Sequence, residues 1–435
     1  MSDAATRSPV SAFCASVRDH VHADQIQDGP LPRYEVDGIL PDVSVAPATL
    51  EQLQAVLSEA HNAGMCVVPI GGGTHLGAGN VPTSYDVAIS LAGMHRIIAH
   101  EPADLTVTVE PGVRLAELQS TLAEHGQFLP LDPPCDPSAT IGGVLAANAS
   151  GPLRHAFGTA RDWLIGIRVV HADGSVSKSG GRVVKNVAGY DMHKLYVGSL
   201  GTLGVIAEAT LKIAPRPHAE STLIIACRSA AHAAEIIIGA HDAGLALHAA
   251  ELLSPPASNA IFGESVWAAL LRVAGGAGAV ERSLKEIDGA SAATGATVER
   301  RDAGDDWDAW SAAFRPGALT LRVSVMPSHL AEAMQVLDRR FTGAGGRLSA
   351  TVTAGVIRAN LRPSRDARAG ALVAAAREVA SRYDGSVAVD AASPLLKQEI
   401  DVFGPMRSDF AIMKRLKEEF DPKRILSPGR FIGRI

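Results

Sequence analysis

The chain has few cysteines, few aromatic residues and no long apolar run, and each shortage excludes a class of protein. Its four cysteines, Cys14, Cys66, Cys135 and Cys227, lie far apart, without a Cys-x-x-Cys pair or a cysteine–histidine cluster. This spacing argues against a zinc or iron–sulfur site in this chain and favours a reduced, intracellular protein. No run of about 18 apolar residues occurs, so no membrane-spanning helix is expected.

Targeting and charge signals are also sparse. The opening residues, MSDAATRSPVSAF, lack the apolar core of a signal peptide. The net charge of −6 is spread along the chain without a basic stripe, which argues against nucleic acid as the main partner. With 435 residues, 47% of them hydrophobic, two or three globular domains are expected. We expect a cytoplasmic protein that reaches the inner face of the cell membrane only through partner subunits.

Glycine, by contrast, is abundant and clustered, first in PIGGGTHLGAGN, residues 69–80. The segment before it predicts a helix with Thr49 as the N-cap, Gln52 completing a capping box and Gly64 as the stop. The apolar run MCVVPI then predicts a short buried strand leading into the glycines.

Two common phosphate-binding patterns do not fit this loop. A Rossmann fold requires a third glycine where Leu76 stands, followed by a helix, whereas a proline and a strand follow here. A P-loop requires Gly-Lys-Ser/Thr, and Gly77 is followed by Ala78. The remaining alternatives are a glycine-rich turn between two strands and a loop that binds some other ligand.

Two more clusters of small residues favour the ligand. They occupy residues 139–151 and 184–217, with a predicted hairpin around Asp173 between them and a predicted strand from Gly204 to Ile213. Tight turns alone rarely require three such clusters, whereas the close approach of a large, flat, phosphorylated ligand accounts for all of them. The pattern therefore indicates a dinucleotide without choosing among dinucleotides.

Four motifs, taken in order, resemble the FAD-binding domain of the vanillyl-alcohol oxidase/PCMH superfamily. They are PIGGGTHLGAG, ATIGGVLAANASG, KNVAGYDMHKLYVGSLGTLGVIAEATLKI and DPKRILSPGR. Within that superfamily, the chain is most similar to the FAD-binding subunits of bacterial glycolate oxidases that lack the late histidine motif of their catalytic relatives. Any one motif alone is weak, but the ordered set is specific.

The resemblance implies an α+β fold with a two-subdomain, PCMH-type FAD-binding domain and an α+β cap domain. The predicted segments are an N-terminal entry (1–34), the FAD-binding domain (35–217), the cap (218–394) and a C-terminal return to the FAD domain (395–435). Strand-like runs alternating with alanine-rich helices suit the cap. Trp307 is expected to pack inside it, together with Trp310.

The resemblance also implies which residues hold FAD. The first loop would bind the pyrophosphate, the second region would run along the cofactor, and the third would offer backbone hydrogen bonds near a ring edge. The implied cofactor-binding residues are Ile70, Gly71, Gly72, Gly73, Thr74, His75, Leu76, Gly77, Pro133, Ser138, Thr140, Ile141, Gly142, Gly143, Asn148, Gly204, Val205 and Ile206.

The sequence departs from the family at three places. Ser427 stands where the closing motif usually has Asn, which shortens the reach of that side chain. The histidine that attaches FAD covalently in some members falls on Thr74, one place before His75, so noncovalent FAD is expected. The late histidine motif that holds a divalent metal in catalytic relatives is absent, because no histidine follows His329. No metal is therefore expected.

The catalytic residues stay unassigned at this stage. Oxidation of a 2-hydroxy acid requires a base for the hydroxyl proton and a cation for the carboxylate. Arg358 and Arg362, in GVIRANLR, are candidate cations, and solvated ion pairs or a subunit contact are the alternative for both. Tyr190 and Asp191 are interpreted as structural or flavin-adjacent.

Three functions are compatible with these residues. The resemblance favours an FAD-carrying subunit of a glycolate oxidase complex, whose partners would be the complex's other, homologous glycolate oxidase flavoprotein and an iron–sulfur subunit. The alternatives are a standalone FAD-dependent dehydrogenase of a 2-hydroxy acid such as D-lactate, and a scaffold that keeps the fold without the redox role. The missing histidine motif argues against the second, and the intact glycine clusters argue against the third.

Overall fold

The computed structural model describes residues 9–181, 190–302, 304–361 and 366–435. Its helices are α1 Pro9–Val17, α2 Leu50–Ala63, α3 Leu115–Ala123, α4 Ile141–Ala147, α5 Arg154–Phe157, α6 Ala160–Trp163, α7 Ala230–Asp242, α8 Pro255–Phe262, α9 Ala277–Thr294, α10 Asp305–Phe314, α11 Leu330–Phe341, α12 Asp366–Arg382, α13 Pro394–Glu399 and α14 Phe410–Phe420. Its strands are β1 Ile26–Asp28, β2 Val43–Val45, β3 Val67–Ile70, β4 Val87–Ser90, β5 Ile97–Glu101, β6 Thr106–Val109, β7 Gln127–Phe128, β8 Leu164–Val170, β9 Val176–Gly180, β10 Val205–Lys212, β11 Ala214–Pro215, β12 Ala219–Cys227, β13 Leu247–Leu253, β14 Trp267–Gly275, β15 Thr297–Arg301, β16 Leu319–Ser324, β17 Gly346–Thr351, β18 Val356–Leu361 and β19 Ser386–Ala391.

The first glycine loop follows strand β3, which belongs to a small sheet with the order β1-β2-β4-β3. In this sheet β2, β4 and β3 are parallel. Helix α2 packs on this sheet through one apolar face, as predicted. The hydroxyl of Thr49 accepts from the Gln52 amide at 3.2 Å, and Gly64 ends the helix with φ of +67°. The Gln52 side chain reaches the amide of Ala48 instead of that of Thr49, so the predicted capping box is shifted by one residue.

A second sheet has the antiparallel order β5-β6-β10-β8-β9. Strand β10 belongs to the third glycine cluster, of which residues 184–189 lie outside the described residues, and the second cluster packs against this sheet. The hairpin predicted around Asp173 joins β8 to β9, and the strand predicted from Gly204 is β10. The small residues after Ala139 form α4, a short helix that the sequence did not predict. Thr140 caps this helix by accepting from the amide of Gly143.

The third layer is an antiparallel sheet of eight strands with the order β15-β12-β14-β13-β17-β18-β16-β19. Helices α7, α9, α11 and α12 cover one face, and α8 and α10 pack on the other. Trp307 and Trp310 are buried there, as predicted, and their indole N–H groups donate to Thr222 at 3.1 Å and Ser349 at 2.8 Å. Mixed helices and sheets confirm the predicted α+β class.

The C-terminal segment returns to the first sheet. The amide of Val67 donates to Ile425, and the amide of Ser427 donates back to Val67, each at 2.8 Å, so the segment lies beside β3 as an added edge. The predicted segment boundaries stay predictions. In the described part of the chain, no helix has both the length and the apolar character needed to cross a bilayer.

Candidate functional site

A groove of about 780 Å³ runs between β3, the first glycine loop, α4 and the start of β10. We call it the glycine groove. It brings together parts of all three glycine clusters, which are distant in sequence. The predicted residues that line it are Ile70, Gly71, Gly72, Gly73, Thr74, His75, Leu76, Thr140, Gly142, Gly143, Gly204, Val205 and Ile206.

The wall formed by the first loop presents unpaired amide groups. Within the described residues, the amides of Gly72, Gly73, Thr74 and His75 donate no hydrogen bond to the chain. Successive free N–H groups in a turn form a concave anion site. This observation supports the prediction that the loop holds a phosphate-bearing ligand.

Close packing within the chain also requires glycine in this loop. A Cβ at Gly71 would overlap the Thr140 hydroxyl, and a Cβ at Gly72 would overlap the carbonyl oxygen of Ser138. The first and second glycine clusters therefore lie directly against each other. The glycines serve this internal approach as well as the groove.

The other predicted residues lie outside the groove. Ile141 is 1% exposed and packs in the core of the second sheet. Pro133 is buried, and Ser138 supports the first loop from behind. The carbonyl of Gly77 accepts from a lysine, and Asn148 ends α4 with φ of +48° and lines a neighbouring cavity.

Two buried cations from the C-terminal region hold the first loop, and sequence reasoning missed both. Arg430 is 3% exposed, lines the glycine groove and donates to the carbonyls of Leu76, at 2.7 Å, and Ala78. Lys397 donates to the carbonyl of Gly77 and pairs with Asp37 at 2.7 Å. By binding carbonyls, these cations fix the loop from the side opposite its free amides. The only sequence signal for Arg430 was its place directly after the closing Pro-Gly.

The aspartate of the closing motif lies in a buried network. Asp421 accepts from the amides of Ile425 and Leu426 and pairs with Lys417 at 2.7 Å. Lys417 also donates to the carbonyls of Thr202 and Leu426, each at 2.8 Å. The network therefore ties the C-terminal segment to the residues just before β10, which line the groove.

Ser427, which stands where the resemblance implies asparagine, has a left-handed backbone conformation. Its φ is +42°, a region that asparagine tolerates better than serine. The residue is fully buried, and its hydroxyl has no partner within the described residues.

Replacing Ser427 by glycine is expected to raise the free energy of unfolding of the cofactor-free chain by about 1–5 kcal/mol. The change removes left-handed strain and an unpaired buried hydroxyl, worth roughly 1–3 kcal/mol each, against a backbone-entropy cost of about 1 kcal/mol. Denaturant titration would measure the difference. Ser427→Ala, which keeps the strain, should gain less, and a glycine variant less stable than the wild type would contradict the argument.

A second cavity, of about 490 Å³, opens between the first glycine loop, the end of α4 and the eight-stranded sheet. We call it the arginine cavity. It shares His75 and Ala147 with the glycine groove, so the two spaces adjoin. Its lining residues are His75, Ala78, Pro134, Ala147, Asn148, Ala149, Ser150, Phe314, Pro316, Thr320, Arg322, Arg358 and Asp390.

The strand register places two like charges side by side in this cavity. Arg322 on β16 is directly opposite Arg358 on β18. Asp390 on the neighbouring strand β19 pairs with Arg322 at 3.2 Å. Arg358 has no carboxylate within 4 Å in the described residues; it donates to the carbonyl of Ser150 at 2.8 Å and lies over the Trp310 ring. Facing like charges repel, and Asp390 offsets the charge of Arg322, so an anion beside Arg358 would further stabilise this arrangement.

Buried carboxylates lie near the arginines without contacting them. Glu251 accepts from the hydroxyls of Ser349 and Thr351, and burial raises its pKa. Burial likewise lowers the pKa of Arg358, and the charge of Glu251 opposes this shift. The charge on Arg358 is thus balanced partly at a distance, and the N–H groups that do not bind Ser150 stay available to a ligand.

The structure brings Arg358 into the cavity as the sequence suggested, whereas Arg362 lies outside the described residues. Tyr190 is 91% exposed, and Asp191 pairs with Lys194 at 2.6 Å. His155 lines neither space; it contacts Thr353, and burial lowers its pKa to about 4. Among the described residues, no group of three or more histidine, cysteine or acidic side chains is arranged to hold a metal ion.

These features fit FAD. Free loop amides and the buried Arg430 suit a pyrophosphate, and the small side chains of α4 and β10 leave room along the groove for flat rings. The arginine cavity adjoins one part of this groove, so a small acid held there would lie next to the cofactor.

Comparison with known families agrees with this assignment. Residues 41–180 match the FAD binding domain family, and residues 216–431 match the C-terminal domain of FAD linked oxidases. The two matches cover both sides of the arginine cavity and confirm the predicted cofactor, FAD.

Several curated proteins are similar to the chain. It is 27% identical to the glycolate oxidase subunit GlcD of Bacillus subtilis, over 93% of this chain and 91% of that protein. It is 27% identical to the D-2-hydroxyglutarate dehydrogenase of Xanthomonas citri, over 88% of each chain. The glycolate oxidase subunit GlcE of Escherichia coli is 41% identical, but over only 30% of this chain and 37% of that protein. The predicted relationship is confirmed at the level of this group, and the assignment to one particular glycolate oxidase subunit stays a prediction.

A solved structure, p-cresol methylhydroxylase with substrate bound, shares the fold. It aligns with a TM-score of 0.78 at 16% identity and covers 98% of this chain and 97% of its own. The match confirms the predicted PCMH-type architecture with a cap.

Proposed function

We propose that this FAD-linked oxidoreductase, a relative of glycolate oxidase GlcD and of D-2-hydroxyglutarate dehydrogenase, oxidises a small 2-hydroxy acid, glycolate first among them, as a flavoprotein subunit of a glycolate oxidase complex. One observation carries the substrate class. Arg358 is a cation without a carboxylate partner among the described residues, in a cavity that adjoins the groove for FAD.

Different residues of the chain would bind the substrate and the cofactor. Arg358 binds the carboxylate of the substrate, because a guanidinium presents parallel N–H groups that match a carboxylate. Asp390 neutralises Arg322 and so leaves one net positive charge for one carboxylate. The loop around Gly72 and the cations behind it hold the cofactor. When bound, FAD supplies the two-electron acceptor for the hydrogen of the α-carbon.

We also propose that FAD is held noncovalently. Thr74 stands where some members have the attaching histidine, and the ring of His75 lies against the Thr74 hydroxyl at 3.1 Å. A denaturing gel provides the test, because no flavin fluorescence should accompany the protein band.

The proposed partners are a second flavoprotein of the GlcD type and an iron–sulfur subunit. The 41% identity to GlcE, named as a glycolate oxidase subunit, supports complex membership. The four cysteines are all free, and none forms an iron–sulfur spacing, so any cluster in the complex would belong to a partner.

A standalone dehydrogenase for a 2-hydroxy acid such as D-lactate is the second candidate. The observation that favours it is the complete cavity within this one chain, together with the near full-length match to GlcD. Steady turnover with a soluble dye and no partner would support this candidate over the complex.

The test is an anaerobic titration of the FAD-loaded chain. Glycolate is expected to bleach the flavin absorbance, and acetate, which lacks the hydroxyl, is expected to leave it unchanged. D-lactate and D-2-hydroxyglutarate would define the size limit of the cavity. If none of the three acids bleaches the flavin, with or without partner subunits, the proposed function is wrong.

A further inference from the structure

His75 lies at the junction between the glycine groove and the arginine cavity, and it lines both. Among the described residues, it is the one histidine that lines the arginine cavity. A substrate whose carboxylate is bound by Arg358 would therefore lie in the same enclosed space as the His75 ring. The imidazole of His75 comes from the first glycine loop, whereas Arg358 comes from the eight-stranded sheet. The two sides of the cavity would therefore contact different ends of one small substrate.

The other charged groups of the cavity are poor proton acceptors. The guanidinium groups of Arg322 and Arg358 donate hydrogen bonds and have no acceptor atom. Asp390 is held by Arg322 at 3.2 Å, so its carboxylate is already engaged. Of the titratable side chains that line this cavity in the described residues, His75 is the one without an ion-pair partner or a permanent positive charge.

The ring of His75 is oriented by its neighbour. Its Nδ1 lies 3.1 Å from the Thr74 hydroxyl oxygen. In the tautomer in which Nδ1 donates this bond, Nε2 carries the lone pair that can accept a proton. Burial lowers the pKa of His75; Asp390 acts in the opposite direction, and Arg358 and Arg322 add to the lowering. The ring is therefore neutral, and able to accept a proton, at neutral pH.

We propose that His75 is the catalytic base of this chain: its Nε2 accepts the hydroxyl proton of a 2-hydroxy acid whose carboxylate is bound by Arg358. This inference rests on the proposed function. As the O–H proton passes to Nε2, the C–H bond of the α-carbon breaks and the C=O bond of the 2-oxo acid forms. The hydrogen leaves with both bonding electrons for the flavin, so charge and electrons balance.

The first experiment compares His75→Gln with the wild type, both loaded with FAD, in anaerobic stopped-flow reduction by glycolate. The wild-type rate should rise with pH to a plateau as the base loses its proton. The variant should be about 100-fold slower with a flat profile, within the 10²–10⁴-fold range of general bases. His155→Gln, a histidine that lines neither space, should match the wild type.

Binding is measured separately with 2-hydroxyisobutyrate, which keeps the hydroxyl and the carboxylate but has no α-hydrogen to lose. Calorimetry should give His75→Gln an affinity within a few-fold of the wild type, since the carboxylate site is intact. Added imidazole should restore part of the rate to His75→Ala.

If the glutamine variant fails to retain FAD, the wild type still provides a test. Carbethoxylation of His75 by diethylpyrocarbonate, mapped by mass spectrometry, should be slowed by 2-hydroxyisobutyrate. A variant with the wild-type rate and pH profile, or unprotected modification, would overturn the inference and leave the proposed function standing. A wild type that no 2-hydroxy acid reduces would overturn both.

Discussion

Replacing Lys417 by methionine is expected to lower the free energy of unfolding by about 3–5 kcal/mol, the usual cost of breaking a buried ion pair from one side. The side chains of Lys417 and Asp421 are 3% and 0% exposed. Without the ammonium group, Asp421 keeps a buried charge and two backbone carbonyls lose their donor. Denaturant titration followed by hydrogen exchange would measure the loss and locate it.

Lys414→Met is the matched control, because it removes a lysine from the same helix α14. Lys414 lies 3.9 Å from Glu418, and both side chains are about half exposed, so the change should stay within about 0.5 kcal/mol. Lys417→Met combined with Asp421→Asn should recover part of the loss, since no unpaired charge remains. A Lys417 variant as stable as the Lys414 variant would show that the network does not hold the C-terminal segment.

The features that the sequence predicted correctly are those that depend on residues close together along the chain. Thr49, Gly64 and the glycine clusters carry local signals, because caps and tight loops require particular residues at fixed offsets. Lys417 gave no such signal. In sequence it is one charge among many on an amphipathic helix, and its burial depends on where Thr202 and Leu426 are placed by the fold.

The arginine cavity could not be predicted from the sequence, because it too depends on contacts that only the fold creates. Arg322, Arg358 and Asp390 belong to three strands that are separated in sequence and adjacent only in the sheet. The sequence offered Arg358 as a candidate cation, but it did not show the arginine that faces it or the aspartate that pairs with that arginine. The register shows that Arg358 faces a second arginine and, among the described residues, has no carboxylate in direct contact.

Arg358→Met is expected to weaken binding of 2-hydroxyisobutyrate at least 100-fold, because removing one side of an enclosed charge contact costs about 2–5 kcal/mol. Calorimetry on the FAD-loaded chain would measure the affinity. Stability should fall by no more than about 1–2 kcal/mol: the carbonyl of Ser150 loses its donor, while the repulsion with Arg322 is relieved. Unchanged affinity would exclude Arg358 as the carboxylate site and remove the observation on which the proposed substrate class rests.

The neighbouring pair of Arg322 and Asp390 supplies a control in which the net charge of the cavity becomes more positive instead of less. Asp390→Asn frees Arg322 and leaves two cations in the cavity, so affinity for the acid should rise, about 10-fold at low salt and less at high salt. Arg322→Met with Asp390→Asn removes the pair as a unit and should keep affinity within about five-fold, because Arg358 retains its charge. If instead the double variant loses binding as fully as Arg358→Met, the carboxylate must be shared between both arginines, and Asp390 would then compete with the substrate for Arg322.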